Sequence, residues 1–234
     1  MIRLTTSALA LAIAGTASMS HAAEFDVAIT NVTAGVFFTP LLVSAHSDAQ
    51  SMFMAGAAAS AELQAMAEGG DISGLATALS GAGAVNAENP AGGLLAPGAT
   101  TEVTLNTDNA SENTYLSIVA MMLPTNDGFV ALNQWKIPSA PGVYQVALNA
   151  YDAGTEANDE VLGSGAPGEA GFPAPPPVAA TTGTNGTGID ASIEGYVHIH
   201  RGVTGDVDAE GGQSDIDLSH RWLNPVAKVV VTVK

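Results

Sequence analysis

The chain contains no cysteine. It therefore has neither a disulfide framework nor a thiol nucleophile, and an oxidising compartment has not been used to staple it, as small animal extracellular modules are. Basic residues are almost as scarce. Six Lys and Arg stand against 23 Asp and Glu, for a formal net charge of -17. Such a surface repels nucleic acid and anionic membranes and attracts divalent cations. Long apolar runs are missing too. The N-terminal stretch "ALALAIAG" (8–15) is too short to cross a bilayer. With Arg3 before it and small Ser20 and Ala22 after it, it reads as an export signal cleaved after Ala22. That makes 1–22 the signal and 23–234 one exported domain, periplasmic or secreted to the cell surface, with no stable membrane insertion. The sequence also lacks a G-x-S-x-G elbow, a P-loop and a dinucleotide fingerprint, so the expected protein is not an enzyme.

What is present is strand pattern. "FDVAITNVTAG" (25–35), "FFTPLLVSAH" (37–46), "TTEVTLNT" (100–107), "FVALNQWKI" (129–137), "GVYQVALNAY" (142–151), "IEGYVHIHRGV" (193–203) and "VAKVVVTVK" (226–234) read as strands. "TYLSIVAMMLP" (114–124) is nearly continuously apolar, as a strand buried on both faces would be. The period changes between 51 and 80. Over 51–71, Phe53, Ala57, Leu63, Met66 and Ala67 fit helical spacing, with Ser60 placed to cap the second half and Gly69-Gly70 to end it, and "ISGLATALSG" (72–81) adds a second short helix. Residues 163–188 form a long Pro/Gly/Thr-rich loop. The expected fold is mainly β: an antiparallel β-sandwich of about eight strands with a short helical segment near 51–80.

Chemistry concentrates in loops. "YDAGTEANDE" (151–160) holds Asp152, Glu156, Asp159 and Glu160 with no Lys or Arg beside them. Asp152 sits at a strand end, and Gly154 lets the backbone turn sharply enough to bring Asp152 and Glu156 toward one point. Oxygen ligands on a loop suit calcium. The spacing is not that of an EF-hand, since Gly154 takes the third position, and a solvated acidic turn explains the same residues. A second strand-end carboxylate is Asp127, in "PTNDGF". Residues 206–217, "DVDAEGGQSDID", resemble an EF-hand loop in part, but Asp217 replaces the closing Glu and no helices flank it; a solvated hairpin loop is the plainer account. His198 and His200 alternate onto one face of a strand, in line with Glu194 and Tyr196, and could chelate copper or zinc with His46 or His220. Packing on the sheet face accounts for them as well.

Five collinear blocks carry a family resemblance: "ITNVTAGVFFTPLLVSAH", "GAAASAELQAMAEGGD", "MMLPTNDGFVAL", "YDAGTE" and "WLNPVAKVVV". Together they resemble the spondin N-terminal domain family in its bacterial form, over about residues 25–233. The resemblance implies an antiparallel β-sandwich related to calcium-dependent lipid-binding domains. It also implies kinship with the extracellular adhesion modules of the F-spondin and mindin group. In that family a divalent metal, usually calcium, is held by two acidic loops. Carried over by position, its ligands are Asp127, Asp152 and Glu156. Two features depart from the family pattern: Glu156 stands where the family has Asp, and the loop around Asp127 lacks the family's tryptophan. Asn158, Asp159 and Glu160 could add a ligand.

The expected function is thus an exported, non-enzymatic domain. It binds calcium or another divalent cation at one loop end and uses that end for adhesion to, or recognition of, an extracellular protein or glycan. The competing readings are a copper- or zinc-binding protein or metalloenzyme built on His198 and His200, and a structural surface protein without a metal.

Overall fold

Alternation builds the first half of the sheet. In β1 (Glu24–Asn31), Phe25, Val27, Ile29 and Asn31 are buried in turn, and β10 (Ala227–Val233) shows the same alternation. The two pair antiparallel with Val27 opposite Val231. On its other side β1 pairs with β5 (Thr100–Asn106). The chain is described here by a computed structural model over residues 24–234. The expected signal and its cleavage site lie outside the described residues.

The second half runs through β3 (Leu42–His46), β4 (Val85–Glu88), β6 (Tyr115–Leu123) and β7 (Gly128–Lys136). The long strand β8 (Gly142–Asp152) joins the halves. Its residues 142–148 pair with β10, and its residues 149–152 pair with β7. Two short strands complete the set: β2 (Phe37–Phe38) on β6 and β9 (His198–Ile199) on the end of β8. The result is a mainly β, wholly antiparallel sheet of ten strands, eight of them in the order β4-β3-β6-β7-β8-β10-β1-β5 with β2 and β9 beside that path. Its two ends, β4 and β5, touch, so it is nearly closed and barrel-like.

β6 is buried on both faces for a physical reason. Leu116, Ile118, Ala120 and Met122 face the interior with Phe25, Ile29 and Val231, while Val119, Met121 and Leu123 face the helices. Those helices are α1 (Ala61–Gly69) and α2 (Ser73–Gly81). The Ser60 side chain accepts from Leu63 N at 3.2 Å, and Gly70 ends α1 in the left-handed region, φ 72°. Residues 51–59 are not helical. Phe53 instead packs against Phe129 and Tyr151, with ring centroids 5.2 and 4.9 Å away. Three further differences from the sequence reading bear on the site. β4 forms within residues 81–98, a stretch rich in Gly, Pro and Asn where no strand is expected. The expected strand 193–203 shrinks to two residues, because Gly195 and Gly202 turn the chain at φ 79° and 89°. The loop 163–188 carries a one-turn helix, α3 (Pro176–Ala179), and buries Phe172 and Val178. Among the described residues no helix is long and apolar enough to cross a membrane.

Candidate cation site

Sheet pairing sets the site. Asp127 immediately precedes β7, and Asp152 closes β8. The ladder places Gly128 opposite Asp152 and, on the other edge, Asp152 opposite His198. Antiparallel register therefore gathers two carboxylates and an imidazole from distant parts of the chain at one end of the barrel. Gly154 permits the third segment to close over them. It has φ 66°, and a Cβ there would lie 2.4 Å from the Tyr196 carbonyl oxygen. Gly195 N donates to Gly154 O at 2.9 Å, fixing residues 194–198 against the acidic turn.

Asp127 is fully buried. Its Oδ2 accepts from Thr155 N at 2.7 Å, from Glu156 N at 3.1 Å and from Thr155 Oγ1 at 3.2 Å. Its Oδ1 is buried and has no partner. Burial, and next the negative charge of Asp152, push the Asp127 carboxyl up to about 8. Asp152 is also buried. Its Oδ1 accepts from Gly154 N and its Oδ2 from Asn158 Nδ2, both at 2.8 Å. Neither Asp127 nor Asp152 pairs with a Lys or Arg among the described residues.

The imidazoles lie against Asp152. His198 Nδ1 is 3.8 Å from its Oδ1, and His200 Nε2 is 3.9 Å from its Oδ2. His200 Nδ1 accepts from Gly202 N at 3.0 Å, which assigns the ring proton to Nε2. That Nε2 is buried without a partner. Burial, and then the charges of His198 and Arg201, lower the His200 imidazole to about 4, so the ring is neutral. Glu194 completes the cluster. Asp152, Glu194 and His198 each offer a ligand atom within 4.8 Å of the others, and Glu194 Oε2 is buried and unpaired.

Glu156 lies beside this group with its carboxylate turned elsewhere. Oε1 accepts from Asn126 Nδ2 at 2.8 Å and from Gly171 N, and Oε2 is buried without a partner. Burial raises its pKa. The rest of the acidic run is structural. Asp159 Oδ1 accepts from Asn126 Nδ2 at 2.7 Å and from Val161 N at 3.0 Å. Glu160, buried, accepts from Gly205 N at 2.9 Å and Ser214 Oγ at 2.6 Å. Crowded charge in "YDAGTEANDE" is thus met largely by backbone N–H, hydroxyl and amide donors.

The remaining candidates do not join the cluster. His46 bonds Ser117 Oγ at 2.7 Å and the Ser47 carbonyl at 2.8 Å, and His220 bonds Thr181 Oγ1 and the Asp217 carbonyl. In the 206–217 loop, Asp206 accepts from the backbone N–H of Asp208, Gln213 and Ser214, while Asp208 and Asp217 accept from Glu210 and Ser219. Those acids cap their own loop. Glu194 was visible in the sequence only as a neighbour in line with His198. Its approach to Asp152 depends on strand pairing that no local pattern announces.

Such a domain is a rigid antiparallel β scaffold that carries its polar chemistry on the loops at one end. Residues 18–163 match the Spondin_N family, and the chain belongs to that family. No curated protein matches the chain. The family match ends upstream of Glu194, His198 and His200, so two of the three residues Asp152, Glu194 and His198 lie beyond the matched segment.

Proposed function

We propose that this chain is an exported, non-enzymatic spondin-type domain that binds one divalent cation at the end where the 124–127 loop meets the turn after β8. In this reading the sheet works as a β-sandwich with β8 shared by both layers. Asp127 and Asp152 supply the charge, and Glu156 reaches the ion after a rotation of its side chain. Calcium is the ion that the family resemblance favours. One observation carries the reading. Asp127 Oδ1 is buried and unpaired beside a second buried carboxylate, and among the described residues no Lys or Arg pairs with either. Ionising both carboxyls is costly without a counter-ion, and a divalent cation that displaces the Asp127 proton is the compact way to supply one. An ion there would order both loops and offer an open coordination position to a carboxylate or phosphate on an extracellular protein or glycan. That is the adhesion role.

The test is thermal unfolding of the chelator-treated protein against a panel of divalent cations. An ion at a hundredfold excess over its Kd adds about 2.7 kcal/mol, so a rise in Tm on the order of 5–10 °C is expected. Asp127→Asn should abolish the rise without lowering the metal-free Tm, since a neutral amide replaces a carboxyl that is largely protonated near neutral pH. Absence of any shift with every divalent cation overturns the reading. Matrix- and glycan-binding assays with and without chelator then separate an adhesion protein from an inert surface protein.

A further inference from the structure

We propose that Asp152, Glu194 and His198 form a mixed nitrogen–oxygen site that takes a divalent transition cation of the zinc or cobalt type in preference to calcium. This rests on cation binding at Asp152 and narrows the kind of ion.

The donor set makes the first argument. Calcium takes six to eight oxygens, whereas imidazole nitrogen suits zinc, copper, cobalt and nickel. Here one carboxylate is buried, a second is half-buried with an unpaired oxygen, and a half-exposed imidazole stands beside them; the three ligand atoms lie within 4.8 Å of one another. Three protein ligands leave a coordination position for a small oxygen ligand, as open zinc sites do. Two ligands on a tetrahedral zinc are about 3.3 Å apart, given bonds near 2.0–2.1 Å. The 3.8 Å from His198 Nδ1 to Asp152 Oδ1 thus closes with a small side-chain movement.

The second argument is independent of the ligands. His200 is buried, and its unpartnered Nε2 lies 3.9 Å from Asp152 Oδ2, too far for a hydrogen bond. A buried donor of this kind needs an oxygen to receive it. An oxygen ligand held on the ion between the carboxylate and His200 supplies that acceptor. His200 is then a positioning residue rather than a ligand. His198 Nδ1 also lies 3.2 Å from the Tyr196 carbonyl, so an ion on Nδ1 takes the place of the proton that this contact would hold. Arg201 lies 3.7 Å from Glu194 Oε1 and opposes a cation there. Its side chain is 66% exposed and also pairs with Asp190 at 3.2 Å, so it can swing away while keeping a partner.

The test uses the untagged, chelator-treated chain in separate calorimetric titrations with zinc, cobalt and calcium, and visible absorption of the cobalt form. The expected result is one ion per chain and at least tenfold tighter binding of zinc and cobalt than of calcium. His198→Ala and Glu194→Gln should each weaken zinc at least tenfold, leave calcium within about twofold, and alter the cobalt spectrum. His200→Gln, which keeps a donor, should retain more affinity than His200→Ala. Circular dichroism melts confirm that each variant folds. Calcium binding as tight as zinc, or zinc affinity indifferent to His198→Ala, overturns this inference and leaves cation binding at Asp127 and Asp152 standing. No binding of any of the three ions, with no shift in Tm, overturns both.

Discussion

Asp127 couples the site to stability through a proton. Its ordinary value is 3.8, and in the fold it is raised to about 8 by burial, Asp152 and, weakly, Glu156. Between those values the folded state keeps a proton that the unfolded chain releases, so this carboxyl makes stability fall as pH rises from about 4 to about 8. His200 acts the other way. Its folded value of about 4 lies below the ordinary 6.5, so the unfolded chain binds more protons and stability climbs with pH between about 4 and 6.5. Above pH 6.5 the Asp127 effect is no longer opposed by His200, at up to about 1.4 kcal/mol per pH unit. The metal-free urea midpoint should therefore fall from pH 6.5 to 8, and Asp127→Asn should flatten that fall. A midpoint that rises over this window contradicts the assignment. At this scale the sequence placed Asp127 and Asp152 at strand ends, since the strand pattern beside each, and Gly154 after Asp152, are local signals. The direction of the Glu156 side chain was illegible, because it is set by Asn126 and by Gly171, whose approach is a tertiary fact.

Among elements, β6 is where pattern and packing agree most closely. Its unbroken apolar run implied burial on both faces, and both cores use it. Met121→Ala opens a cavity beneath α1 and α2, and should cost about 2–5 kcal/mol, measured as a loss of urea midpoint. A cost well under 1 kcal/mol would mean that the helical layer collapses onto the gap. The capped helix α1 was equally readable from Ser60 and Gly70. β4 and β9 were not. Each is only a few residues long, with too few alternating positions to show a period, and each exists because a neighbouring strand edge is available. That is also why the approach of Glu194 to Asp152 could not be foreseen: the contact follows from β9 pairing with β8, not from any spacing within 194–200.

At the scale of the whole molecule, a net charge of -17 works against compactness. Local neutralisation is sparse; Lys234 pairs with Glu24 and lies 3.0 Å from Asp26, at the start of β1. Raising monovalent salt from about 0.01 M to about 1 M shortens the screening length from roughly 30 Å to 3 Å. The metal-free Tm should rise accordingly, and by a similar amount in Asp127→Asn, since the effect belongs to the surface rather than to the site. A salt response confined to the wild type would instead place the repulsion in the cluster.

β10 is inserted between β8 and β1, so a strand late in the domain becomes the partner of an early one. A chain emerging from its N-terminus can pair β1 with β5, but the other edge of β1 stays open until β10 has been synthesised. The site end, built on β8, and the β1–β5 ribbon are not hydrogen-bonded into one sheet before then. The order of synthesis thus leaves two edges, on β1 and on β8, waiting for the same strand.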